Sequence, residues 1–124
     1  MTTLTNHARD ILARALAGRG PLLPTQVFAA LGTGGTLASG LSGEPTGSGY
    51  ARQRVTFTGT GVQGNAEAVR FILTGPAGTL SHVGLFDAAS GGNPLAFAAL
   101  PQAAAMTGPG TVTIAAGSLT LSAG

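Results

Sequence analysis

The stretch Ser81 to Leu100, SHVGLFDAASGGNPLAFAAL, restricts the fold more than any other part of the chain. Its first half roughly alternates apolar and polar residues, breaks at Ala88-Ala89-Ser90-Gly91-Gly92-Asn93, and resumes as Pro94-Leu95-Ala96-Phe97-Ala98-Ala99-Leu100. Two glycines and an asparagine let the backbone reach positive φ and reverse, while the apolar flanks supply two strands that can pair over a core. The spacing predicts a β-hairpin. Further apolar runs follow one another at intervals of about ten residues, with turn residues between them, which is the pattern of a sandwich or barrel. The expected fold is mainly β, an antiparallel β-sandwich or jelly-roll-like barrel with one N-terminal amphipathic helix.

The helix is expected over residues 4 to 17, where Leu4, Ala8, Ile11, Leu12, Ala15 and Leu16 recur at three- and four-residue spacing on one face. Thr3 or Thr5 can cap its start, and Gly18 with Pro21 ends it. Such a helix lies on its own domain's core or docks on a neighbouring subunit. Strands are expected at Thr25 to Leu31, Tyr50 to Thr58, Ala66 to Thr74, Thr111 to Ala115 and Ser118 to Ser122, with Gly59 to Asn65 a turn cluster and Ala103 to Met106 only weakly patterned. Between the first two strands runs a long Gly/Ser/Thr segment, Gly32 to Gly49, without periodicity; a structureless loop of that length in a small domain is uncommon, and the alternatives are a binding or assembly contact and a flexible excursion. A chain of 124 residues suits one domain, with residues 1–20 forming the helix and its turn and residues 21–124 the β domain.

Charge is sparse: six arginines, no lysine and four acids. A net charge of +2 with no basic run neutralises few phosphates, so nucleic acid is not an expected partner. A surface kept wet mainly by glycine, threonine and serine is instead expected to be covered by protein partners. The absence of cysteine removes disulfide and zinc–thiolate sites. No signal peptide and no stretch of transmembrane length is visible, so synthesis in the cytoplasm and no membrane association are expected.

The chain carries little that could do chemistry. Gly32-Thr33-Gly34-Gly35 follows a strand but lacks the third glycine and the helix of a dinucleotide fingerprint, and without lysine no Walker loop exists. His82 and Asp87 should lie on opposite faces of one strand, and Ser81 should point away from His82. Asp87 is better placed to cap the hairpin turn. Neither a metal site nor a cofactor site is expected from Glu44, Glu67, Asp87 and the two histidines. The residues singled out as candidate inter-subunit contacts are Leu37, Leu41 and Glu44 of the long loop, Tyr50, Arg52 and Arg54 on one strand face, and His82 at a strand edge. For Arg52 and Arg54 the alternatives are a solvated face and an inter-subunit ion pair or carboxylate clamp.

Two segments, Gly47-Ser48-Gly49-Tyr50-Ala51-Arg52-Gln53 and His82-Val83-Gly84-Leu85-Phe86-Asp87-Ala88-Ala89-Ser90-Gly91-Gly92-Asn93, together with the order of the elements around them, resemble a family of short tailed-bacteriophage and prophage proteins labelled "phage tail fibre protein". The chain departs from that family before Tyr50, where Leu41-Ser42-Gly43-Glu44-Pro45 replaces a more acidic stretch. The resemblance implies a virion structural protein made in the host bacterium's cytoplasm, without catalysis or cofactor. A chain with neither heptads nor long repeats fits a capsid decoration, or cement, protein bound to the major capsid protein, expected as a homo-oligomer such as a trimer. The alternative is a tail tip or tail fibre protein held by other tail proteins. A small hydrolase of host-surface glycans would instead need paired carboxylates in a cleft.

Overall fold

The computed structural model describes residues 2–21 and 23–122. In chain order the elements are β1 (Thr3–Leu4), α1 (Asn6–Leu16), β2 (Val27–Gly32), β3 (Gly34–Thr36), β4 (Gly40–Ser42), β5 (Gln53–Val55), β6 (Phe57–Thr58), β7 (Gln63–Asn65), β8 (Val69–Leu73), β9 (Gly78–Phe86), β10 (Pro94–Met106), β11 (Gly110–Ile114) and β12 (Thr120–Leu121). The predicted hairpin is β9–β10, and it forms the middle of a five-stranded sheet ordered β1-β10-β9-β2-β5. β8 and β11 make a separate ribbon, β12-β7-β6 a small sheet, and β3–β4 a short hairpin. All of these pairings are antiparallel. The fold is mainly β with one short N-terminal helix, and it is not a closed barrel, because β10 and β11 do not pair.

One core lies between the large sheet and the β8–β11 ribbon. On β8, Val69, Phe71 and Leu73 point inward while Arg70 and Ile72 face out, the period-two signature of a strand covered on one side. Val112 and Ile114 of β11 join them, against the cross-strand pairs Ala29–Leu85 and Leu31–Val83 of the large sheet. At the end of β7, the buried side chain of Asn65 adds bonds where the ladder stops. Its side-chain amide donates to the carbonyls of Glu67 (2.8 Å) and Ala115 (3.0 Å), and its Oδ1 accepts from the Leu119 N–H (2.9 Å). A buried amide so satisfied ties the β11–β12 turn to the rest.

The helix is shorter than its sequence pattern. Thr5 is the N-cap, accepting from the Ala8 N–H while its own hydroxyl donates to the Pro94 carbonyl, so Thr3–Leu4 leave the helix and pair with Phe97 and Ala96 as β1. Ala8 and Ile11 are buried, but Ala15 and Leu16 project past the edge of the body and Leu16 is almost wholly exposed.

The segment 32–49, expected as a structureless loop, contains the β3–β4 hairpin. It folds back over the outer face of the large sheet, where Leu41 packs on Ala30 and Phe86. No alternation announces this, because glycines rather than large side chains make the fit. A Cβ on Gly84 would stand 2.6 Å from the Leu41 Cβ, and one on Gly35 would stand 2.6 Å from the Phe97 ring. The single strand expected over Tyr50–Thr58 is broken at Thr56, whose carbonyl accepts from Ala66; β5 stays with β2 while β6 crosses to β7. Part of the expected turn cluster 59–65 is itself strand β7, and the weak Ala103–Met106 run completes β10.

Gly84→Ala is expected to cost about 1–3 kcal/mol by overpacking against Leu41. The same substitution made in a Leu41→Ala background should cost clearly less, which chemical denaturation of the four proteins of the cycle would measure.

Candidate functional site

The two sequence segments that carry the family resemblance meet around one side chain, Arg52. The chain reaches it through Gly47, Ser48 and Gly49, which all adopt positive φ and fold the loop so that Tyr50 and Arg52 turn inward together. Arg52 Nε and Nη2 donate to both oxygens of Glu44, at 2.8 and 2.9 Å. Its Nη1 donates to the carbonyls of Ala88 (2.9 Å) and Gly91 (2.8 Å) in the β9–β10 turn. The guanidinium plane lies 3.8 Å over the Phe86 ring. Only 8% of the side chain is exposed, so this cation is a buried pin rather than a solvated strand residue.

Glu44 receives a third bond, from the Tyr50 hydroxyl at 2.6 Å, and that same oxygen accepts from the Leu31 N–H of β2 at 3.0 Å. The Tyr50 ring stacks on Phe71 in the core, centroids 6.2 Å apart. Asp87, at the end of β9, closes the hairpin turn by accepting from the backbone and side-chain N–H groups of Asn93, at 2.7 and 3.1 Å. The turn is thus gripped from inside by Asp87 and from below by Arg52.

The electrostatics follow from these contacts. Burial pushes the Glu44 carboxyl up, but the bonds from Arg52 and Tyr50 and the Arg52 charge outweigh it and hold the group below the ordinary glutamate value. Burial, reinforced by the bond to Glu44, drives the Tyr50 phenol well above its ordinary value. Asp87 is pushed up by burial and more than compensated by Asn93, so it also lies low. Asp10, on the helix surface, is lowered chiefly by its hydrogen bond from Arg14.

The other candidate contacts are scattered. Leu41 is buried in the small cluster on the outer sheet face, while Leu37 is exposed at the β3–β4 turn, its carbonyl accepting from the Asn6 N–H at the start of the helix. Arg54 is exposed on β5, apart from the Arg52 pin. His82 is half-buried on β9, and, contrary to the expectation from alternation, Ser81 turns toward it: Ser81 Oγ lies 2.9 Å from His82 Nδ1. The reason is the β10 bulge. Ala99 pairs with His82 and Ala104 with Leu80, so Ser81 faces an irregular stretch where strict alternation lapses. Among the described residues no carboxylate bonds the His82 ring, and no three His, Asp or Glu side chains gather to hold a metal.

Sequence reasoning missed the partners of Arg52 in the turn. Gly91 and Gly92, both at positive φ, were legible as a reversal, but nothing in the sequence showed that the Ala88 and Gly91 carbonyls of that turn would be aimed at a cation. It also missed an open cleft of about 530 Å³ between β10 and β11, lined by Val83, Leu100, Met106, Val112 and Leu119 among others and by no charged residue. No described helix is long and apolar enough to cross a membrane.

Glu44→Gln is expected to cost about 1–2 kcal/mol at neutral pH, allowing for its partial exposure, and Arg52→Lys about 2–3 kcal/mol. Because Glu44 and Asp87 bind protons less readily folded than unfolded, their contribution is complete above the ordinary carboxylate range and is lost as pH falls through the lowered folded values. Thermal melts from pH 7 down to pH 3 should therefore show falling stability on the acid side, with a shallower fall in Glu44→Gln.

A sequence model of the family described as podophage GP4 fiber I protein gp80 matches residues 2–122. No protein with a curated description matches the chain. The match spans nearly the whole sequence, and the chain belongs to this family.

Proposed function

We propose that this member of the podophage GP4 fiber I protein family is a non-enzymatic structural part of a phage tail fibre, carried on the virion. The observation that carries the reading is the family match over residues 2–122, whose description is that of a fibre protein. It favours the tail alternative over the capsid decoration role suggested by composition and size.

The Arg52 pin supports a structural role. The two segments that could have been read as functional motifs are spent on holding a loop and a turn together, with every Arg52 donor nitrogen turned to a partner inside the chain. Such a lock fixes shape without disulfide or metal, which suits a part exposed to shear. The carboxylates of the two segments serve the same end: Glu44 is taken up by Arg52 and Tyr50 and Asp87 by Asn93, whereas a glycan hydrolase needs two carboxyls facing a substrate cleft.

With neither heptads nor repeats in the chain, reach comes from assembly: the module works as a homo-oligomer, seated on other tail proteins rather than on the major capsid protein. Low surface charge and weak single contacts multiplied by symmetry serve that arrangement.

Quantitative mass spectrometry of purified virions, referenced to the major capsid protein, tests this. A handful to a few dozen copies per particle is expected; a count commensurate with the shell would return the chain to the capsid surface, and absence from the particle would overturn a virion role.

A further inference from the structure

Between α1, the linker that follows it and the β9–β10 turn lies a recess of about 360 Å³, at the low end of the range for small-molecule sites. On one side His7 and Arg14, two helical turns apart on α1, present donors. On the other, Asp87 and Asn93, at the two ends of the turn, present acceptors. Ile11, Pro21, Leu23 and Pro24 line the space with apolar surface. The two sides are near enough to interact: burial pushes the Asp87 carboxyl up, the Asn93 bonds lower it, and the charge of His7 adds to the lowering.

Both sides keep hydrogen-bonding capacity that the fold does not use. Among the described residues neither ring nitrogen of His7 has a partner. Arg14 turns Nε and Nη2 to Asp10 and leaves Nη1 over. Each Asp87 oxygen accepts one bond from Asn93, whereas a carboxylate offers about four acceptor sites. The Asn93 side-chain carbonyl accepts no bond among the described residues.

This set of groups is selective. A bare cation meets Arg14 and a bare anion meets Asp87, so neither is favoured. Arg14 is already matched by Asp10, and Asp87 by the N–H groups of Asn93, so neither calls for a full counter-charge. None of the lining residues lies in a β-strand, so an extended peptide finds no ladder to join. The complement is a neutral molecule whose groups each donate and accept, with an apolar face to lie on the leucine and prolines. Hydroxyls have that dual character, and a sugar ring carries them beside a face of C–H groups.

We propose that this recess binds one neutral sugar residue, its hydroxyls donating to Asp87 and Asn93 and accepting from His7 and Arg14. With one carboxylate in the lining, the site holds a glycan without cleaving it. The assignment of that sugar to a bacterial cell-surface polysaccharide rests on the fibre reading; the chemistry of the recess does not.

Saturation-transfer NMR of the whole protein tests this, with the methyl glycosides of glucose, galactose and mannose and with surface polysaccharide purified from the host of the encoding phage as probes. Binding of at least one probe is expected, and His7→Ala and Arg14→Ala should each weaken it by about three- to tenfold. Both variants should melt close to the parent, since an exposed ion pair such as Asp10–Arg14 contributes little. Arg9→Ala, on α1 but outside the recess, should bind like the parent. Should Arg14→Ala fail to fold, His7→Ala decides alone. No binding of any probe, or parental binding by the folded recess variants, would overturn the site. Binding of a glycoside without the polysaccharide would uphold the sugar site and overturn the cell surface as its source. A protein that binds sugar through His7 and Arg14 yet is missing from purified virions would uphold the recess and overturn the fibre reading, so the two fail separately.

Discussion

The structure turns on a buried guanidinium. Taking Arg52 out of water is costly unless each donor direction finds an acceptor and the charge a counter-charge. Glu44 supplies the charge, and the Ala88 and Gly91 carbonyls and the Phe86 face supply the rest. The consequence is geometric as much as energetic. A loop without regular structure and a turn far away in sequence are each held at a fixed place, because a rigid fork accepts partners in few arrangements. Through the Tyr50 hydroxyl the same network reaches β2, and through the Tyr50 ring it reaches Phe71, so the outer lock and the inner core are mechanically joined.

Space for this arrangement comes from small residues. The outer sheet face carries Ala30 and Gly84 where most sheets would carry branched side chains, and the β3–β4 hairpin lies close enough for Leu41 to fill the hollow. A sheet covered on both sides by such thin layers buries modest area per residue, and polar pins such as Arg52, Asn65 and Thr5 add specific connections that apolar contact alone would leave loose. For a member of a fibre protein family this is a coherent design: shape is fixed internally by hydrogen bonds that resist displacement, without disulfide or metal.

Much of this was legible in the sequence. The hairpin at Ser81 to Leu100, the amphipathic helix and the strand at Ala66 to Thr74 each carry a local period or a turn signal, and each formed. Asp87 could be assigned to the turn because an acid just before a glycine pair has a local job. Illegible were the features that depend on distant partners. The helix lost Leu4 because Thr5 finds a better acceptor in Pro94. The hairpin inside residues 32–49 leaves no periodic trace, because its fit is made by missing side chains at Gly35 and Gly84.

Local chemistry along the chain therefore determined the fold class, the number of strong elements and the absence of an evident catalytic motif, since periodicity, turn residues and composition act over a few residues at a time. Whether Arg52 would meet solvent, a neighbour or Glu44 was decided only by the tertiary structure. A cation's environment depends on which distant carbonyls and rings the fold brings beside it, and those lie dozens of residues away along the chain.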